Sequence, residues 1–158
     1  MAVLGNILDY THLWNEIRIA GGAYGCDFSA NPYGDLFFYT YRDPDPANSI
    51  GVFKTSGAFI RDHMRDDPDL TGYILSSVSS VDPLRTPEQA ITAAETRFFT
   101  DTAEADIERR YRELLSTKPS DIAVFADMLD RFAAAGFSCI AADKETIEKA
   151  AAAGNMPA

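Results

Sequence analysis

Two histidines, two cysteines and one tryptophan among 158 residues set the first limits on what this chain can do. A zinc enzyme of the helical type needs two imidazoles and a carboxylate on one helix face, as in His-x-x-Glu-His or His-Glu-x-x-His. His12 and His63 belong to neither arrangement. His12 and Glu16 stand four residues apart, where a metal is conceivable, but further ligands are missing and a solvated helix-surface pair is the simpler reading. Cys26 and Cys139 are far apart and lack a Cys-x-x-Cys spacing, so they read as two buried thiols in a reducing cytosol rather than a zinc site or disulfide framework. No apolar run approaches membrane-spanning length, and Met1 to Leu8 lack the basic-then-apolar pattern of a leader. Cytoplasm is the default expectation.

Basic charge is scarce as well. Fourteen Lys and Arg stand against twenty-four Asp and Glu, a net charge of −10. That sign is wrong for a surface that must neutralise nucleic-acid phosphates or anionic lipid, so neither nucleic acid nor membrane is expected as a partner. A Gly-x-Ser-x-Gly nucleophile elbow is missing. Gly21-Gly22-Ala23-Tyr24-Gly25 follows a predicted helix and precedes a predicted strand, the reverse of the order that a dinucleotide site requires. Asp66-Asp67 and the other carboxylates read as a solvated acidic surface.

What is present is an apolar content of 46% with 11% aromatics, enough for the core of one domain spanning residues 1–158. Tyr10, Leu13, Trp14 and Ile17 fall at i, i+3, i+4 and i+7 and predict an amphipathic helix ended by Gly21-Gly22. Extended segments over 24–30 and 36–41, separated by Asn31-Pro32-Tyr33-Gly34, predict a β-hairpin. The second segment, Leu36-Phe37-Phe38-Tyr39-Thr40-Tyr41, is apolar or aromatic on both faces, so cover is expected on both. After Asp43-Pro44-Asp45-Pro46 comes a helix over 47–62 of weak propensity, with Ile50, Phe53 and Ile60 near one face.

Beyond Pro68 the pattern is helical. Leu70, Tyr73, Ile74 and Val78 share a face, Thr86-Pro87-Glu88-Gln89 reads as a capped helix start, and Asp101 with Glu104 repeats that logic. Ile122, Phe125, Ala126, Leu129, Phe132 and Ala133 form an apolar stripe closed by Gly136, before a short strand over 137–141 and an alanine-rich last helix. The sum is an α+β fold: a small antiparallel sheet, hairpin plus late strand, packed with about six or seven helices. So small a sheet leaves unpaired backbone groups at its rim, which another chain, missing sequence or a second copy in a homo-oligomer would pair.

One long pattern is specific. Leu13-Trp14-Asn15-Glu16-Ile17-Arg18-Ile19-Ala20-Gly21-Gly22-Ala23-Tyr24-Gly25, followed by Tyr41-Arg42-Asp43-Pro44, resembles the carboxy-terminal domain of the presequence-protease branch of insulinase-type (pitrilysin-type) zinc metallopeptidases. The likeness is strongest over residues 8–62 and collinear to residue 142. It implies a parent built from four related α+β domains that form a closable chamber and degrade unfolded peptides, with its zinc on the first domain. This chain would then be a truncated, non-catalytic carboxy-terminal piece, inactive alone, lacking the preceding domains and the opening strands of its own. The resemblance further implies that Arg18 and Tyr24 reach across the chamber to bind the scissile peptide of the substrate. From the residues alone, Arg18 near a helix end complements the helix dipole and Tyr24 fills a core. Arg42 reads as a structural clamp with Asp43 or as a further substrate contact. The alternative function is a free-standing interaction module, or an inactive subunit that completes a catalytic partner chain.

Overall fold

Helix α1 (Ala2–Ile7) runs directly into a π-helix over Leu8–Ala20. The chain is described from a computed structural model that covers residues 1–31, 34–81 and 83–152, the side chain of Ser80 excepted. A π-helix closes each hydrogen bond over five residues instead of four, so its turn is about one residue wider than an α-turn. The buried residues follow the wider step: Leu8, then His12 and Leu13, then Ile17. Tyr10 and Trp14, which α-helical spacing places on the core face, are 61% and 38% exposed instead. The wider turn rotates them outward.

The helix ends where Gly22 takes φ +78°, a left-handed conformation open to glycine at little cost. Gly21 keeps a right-handed backbone, but a Cβ there would sit 2.6 Å from the Ile17 carbonyl oxygen. Two closing bonds, Gly22 N–H to Arg18 O and Ala23 N–H to Ile17 O, both 3.1 Å, turn the chain sharply into a strand.

Strands β1 (Gly25–Ala30) and β2 (Leu36–Tyr41) pair antiparallel, from Gly25 opposite Tyr41 to Ala30 opposite Leu36. Pro32 and Tyr33 of the expected turn lie outside the described residues. Phe28 faces Phe38 with ring centroids 4.9 Å apart, and Phe38 packs on Phe53 at 4.8 Å and Phe132 at 5.9 Å. The opposite face, with Phe37, Tyr39 and Tyr41, is about half exposed. The cover expected on both faces of β2 is therefore present on one, and the aromatic run alternates in and out as an ordinary half-buried strand does.

Helix α2 (Pro46–His63) starts at Asp45, whose carboxylate accepts the Asn48 N–H at 3.2 Å. Its low-propensity residues have a packing purpose: Ser49, Ser56 and Gly57 are all buried, and the helix packs closely on α7 (Ala126–Ala135). A Cβ on Gly57 would lie 2.7 Å from the Ala126 carbonyl oxygen. Arg61 spans the same pair of helices, bonding Asp127 at 2.7 Å and also Asp130. The apolar stripe before Gly136 is divided between α6 (Pro119–Ala123) and α7, with Ile122, Ala126 and Leu129 buried. Gly136 caps α7 at φ +72°.

The late strand expected over Phe137–Ala141 is not formed. Phe137 is 92% exposed, and without a neighbouring strand the segment has nothing to pair its backbone with. The sheet of the described residues is thus the hairpin alone. Helix α8 (Lys144–Ala152) opens on Asp143, which accepts the Thr146 N–H at 3.0 Å, and it contacts α2.

These elements form one compact unit, Met1–Pro68 with the described residues from Pro119 onward; Asp69–Lys118 form a second. Within the second, α3 (Thr71–Val81) contacts α5 (Glu104–Leu115), and α4 (Pro87–Phe99) has no buried side chain. The capping box at α4 is complete: Thr86 Oγ1 accepts from Gln89 N–H, and Gln89 Oε1 from Thr86 N–H. Asp101 does not cap α5. It sits at φ +51° in the turn that closes α4, and Ala103 N–H bonds Asp106 instead. The fold is α+β, as the sequence predicts.

Gly57→Ala should lower the unfolding free energy by about 1–3 kcal/mol, the usual cost of overpacking a close helix contact. A denaturant titration with an unchanged midpoint would show that α2 and α7 can move apart freely.

Candidate functional site

Arg18 lies in the last turn of the π-helix and is exposed, its guanidinium carbon 4.0 Å above the Trp14 ring. Stacking on an indole face holds a flexible cation without burying its charge. Six residues on, past the glycine turn, Tyr24 opens the hairpin. Its N–H donates to Tyr41 O at 3.1 Å and is shared with Arg42 O at 3.3 Å. The Tyr24 ring does not fill the core: it is 64% exposed and meets the Tyr41 ring edge-on at 6.0 Å. The Arg42 guanidinium lies 5.7 Å from the Tyr24 ring and 5.3 Å from that of Tyr41. The structure thus sets Arg18 and Tyr24 at the two ends of one hydrogen-bonded turn, each against an aromatic partner. Asp43, expected as the partner of Arg42, accepts the Asp45 N–H at 2.9 Å.

Beneath this turn is a carboxyl pair that sequence reading did not single out. Asp9 on the π-helix accepts the Phe28 N–H of β1 at 2.7 Å and lies within hydrogen-bonding reach of Asp27. Asp27 in turn accepts the Tyr39 hydroxyl at 3.1 Å. Burial, and then the adjacent Asp27, push the Asp9 carboxyl up to about 8, so Asp9 holds its proton at neutral pH. The Cys26 thiol is pushed up by burial and by Asp9 and Asp27, with Arg18 opposing. It is accordingly a poor nucleophile.

His12 is interior rather than on the surface. It is 9% exposed, its Nε2 is 3.2 Å from Val52 O, and its ring stacks on Phe59 at 4.5 Å. Burial lowers its pKa. Glu16 points to solvent, so the expected surface pair is not formed, again because the wide turn carries position 12 inward. Among the described residues no three His, Cys, Asp or Glu side chains converge as metal ligands. No described helix is long and apolar enough to cross a membrane. Trp14 four residues before Arg18 was the available sequence signal for the stacked cation; the carboxyl pair, Asp9 and Asp27 on two different elements, left none.

Residues 1–142 match the family described as the PreP C-terminal domain. A mitochondrial presequence protease of Emericella nidulans is 36% identical over 115 residues, 72% of this chain and 10% of that protein. Presequence protease 1, chloroplastic/mitochondrial, of Arabidopsis thaliana is 28% identical over 150 residues, 94% of this chain and 14% of that protein. A Clostridium perfringens protein named HypA is 22% identical over 149 residues, 94% of this chain and 15% of that protein. The chain spans only a small part of the length of these relatives.

The carboxyl pair makes stability fall with pH. Below an unfolded value of 3.8 both states hold the Asp9 proton and its contribution is fully present. Between there and about 8 only the folded state keeps it, so stability declines, and above about 8 the contribution is gone. Asp9→Asn retains an acceptor for Phe28 and gains a donor for Asp27. It should flatten the decline between pH 5 and 9 and raise the urea midpoint at pH 9; equal slopes for variant and parent would refute the raised Asp9 carboxyl.

Proposed function

Because the chain belongs to the PreP C-terminal domain family, we propose that it is the substrate-contacting, chamber-forming end of a zinc metalloendopeptidase that degrades unfolded peptides, and that it is inactive alone. The observation that carries this reading is the pairing of an exposed guanidinium and an exposed phenol across one turn, Arg18 on Trp14 and Tyr24 on Tyr41. Both groups are donors only, or donors by preference, toward a carbonyl oxygen. When a peptide carbonyl is attacked its oxygen gains negative charge, and donors already aimed at that position stabilise it without reorganising. Fixed on short supports beside a stiff glycine turn, Arg18 and Tyr24 suit that task. The parent's metal belongs to preceding domains, outside this chain, which is why the chain is inactive by itself.

The rest of the unit suits a wall. Phe37, Tyr39 and Tyr41 give the hairpin an outward face with which apolar side chains of an unfolded peptide can pack. The outer edge of β2, which no other described strand pairs, and the segment Phe137–Ala141, which forms no described strand, are where strands from the preceding domains of a longer parent would extend the sheet. The same β2 edge and aromatic face also favour a second reading, a non-catalytic interaction module or subunit that completes a partner peptidase or pairs with its own copy. In that case the chain sediments as an oligomer or co-purifies with a histidine-bearing peptidase; a lone, well-behaved monomer excludes it.

In the complete peptidase, Arg18→Ala and Tyr24→Phe should each lower kcat by about 10²-fold or more, the scale set by loss of one oxyanion donor, with metal content unchanged. Ordinary turnover in both variants would remove the assignment.

A further inference from the structure

Tyr24 poses a problem that its own surroundings answer. A phenol that is to donate a hydrogen bond at one point must be held in one orientation, yet this ring is mostly exposed and has no buried packing to fix it. What touches it comes from the end of β2. The Tyr41 ring meets it at an interplanar angle of 79°, and the Arg42 guanidinium lies against both rings. An aromatic face carries negative charge and its edge positive, so an edge-on pair is attractive and a cation beside the two rings draws both.

The backbone of Arg42 supports the same reading. Arg42 sits at φ +50°, a left-handed conformation uncommon outside glycine, immediately after β2 ends. In that conformation its carbonyl and that of Tyr41 both take the Tyr24 N–H. Residues 24 and 42 are thereby tied at the backbone, and the Arg42 side chain is turned back over the ring opposite. A strained residue persists where the structure around it fixes it. Glycine would relieve the strain at this position but could not supply the cation.

We infer that Arg42 is a positioning residue, which with Tyr41 holds the Tyr24 phenol in the orientation from which it donates. The inference rests on the reading of Tyr24 as a substrate donor for its functional meaning, but its geometric content can be tested without it. Arg42 touches the ring and acts through it, so its effect should vanish where the Tyr24 hydroxyl is absent.

Two variants of this chain test the geometry by nuclear magnetic resonance. Arg42→Gly relaxes the backbone and deletes the cation; the thermal midpoint should hold or rise while the Tyr24–Tyr41 ring cross-peak weakens and the Tyr24 ring shifts move toward those of an unstructured tyrosine. Arg42→Lys keeps a cation and should retain most of the cross-peak. A full-strength cross-peak in Arg42→Gly overturns the inference. In the complete peptidase, Arg42→Gly should lower kcat about two- to fivefold, the range that an exposed cation–π contact supports, with KM little changed. In a Tyr24→Phe background the same substitution should cost nothing more. A loss that persists there means that Arg42 meets the substrate itself, and also overturns the inference. Should Tyr24→Phe prove silent while the cross-peak still depends on Arg42, the positioning stands and the assignment of Tyr24 as a donor falls.

Discussion

Phe38 and Phe28 are the rings that dock the hairpin on the rest of its unit, beside the bond from the Phe28 N–H to Asp9. A two-stranded hairpin is marginal in water unless one face packs on something larger. Phe38 provides that by meeting Phe28 beside it, Phe53 on α2 and Phe132 on α7. Phe28 is buried and Phe38 half-buried; full burial of one such ring contributes about 1.5–3 kcal/mol, enough to decide whether so small a sheet is docked. Gly57 lets α2 approach α7 closely, and Phe53 and Phe132 on those two helices bound the space that Phe38 enters. Tyr24 and Arg42 stand at the open end of the same hairpin, so their placement derives from a helix contact that neither of them makes.

The π-helix is the second determinant. Its wider turn brings Asp9 against Phe28 and His12 against Phe59, and leaves Trp14 outside as a support for Arg18. An α-helix over the same residues would face Trp14 inward with Leu13 and Ile17. π-helical turns are frequent at functional sites, and here the geometric reason is visible: two polar residues are turned inward to fasten the helix while an aromatic is released to the surface. The carboxyl–amide bond from Asp9 to Phe28 and the exit bond from Ala23 to Ile17 then fasten both ends of the turn that carries Arg18 and Tyr24.

Much of this was legible in the residues. The hairpin, the capped start at Thr86, the helix from Pro46 and the stop at Gly136 each depend on local chemistry that a sequence displays directly. Arg18 and Tyr24 stood out through the long pattern around Gly21-Gly22, and both side chains are exposed. The face of the first helix was misjudged because apolar periodicity presupposes a turn width, and Tyr10 and Trp14 fit the α-helical width. The last strand failed for another reason: Phe137 to Ala141 has strand composition, but a strand exists only with a neighbour, and composition does not report one. The small residues of α2 read as weak propensity when they mark close packing, since what they face is sixty and more positions away.

Trp14 is the chain's single tryptophan, and it lies directly beneath the Arg18 guanidinium at a partly exposed position. Its intrinsic fluorescence therefore comes from one site, and that site is in contact with the side chain of greatest functional interest. Anything that draws Arg18 away, whether a carbonyl, a carboxylate or a docked neighbour, uncovers one face of the indole and changes its solvation. The chain thus carries its own optical reporter of whether Arg18 is engaged, with no label to add and no second tryptophan to subtract.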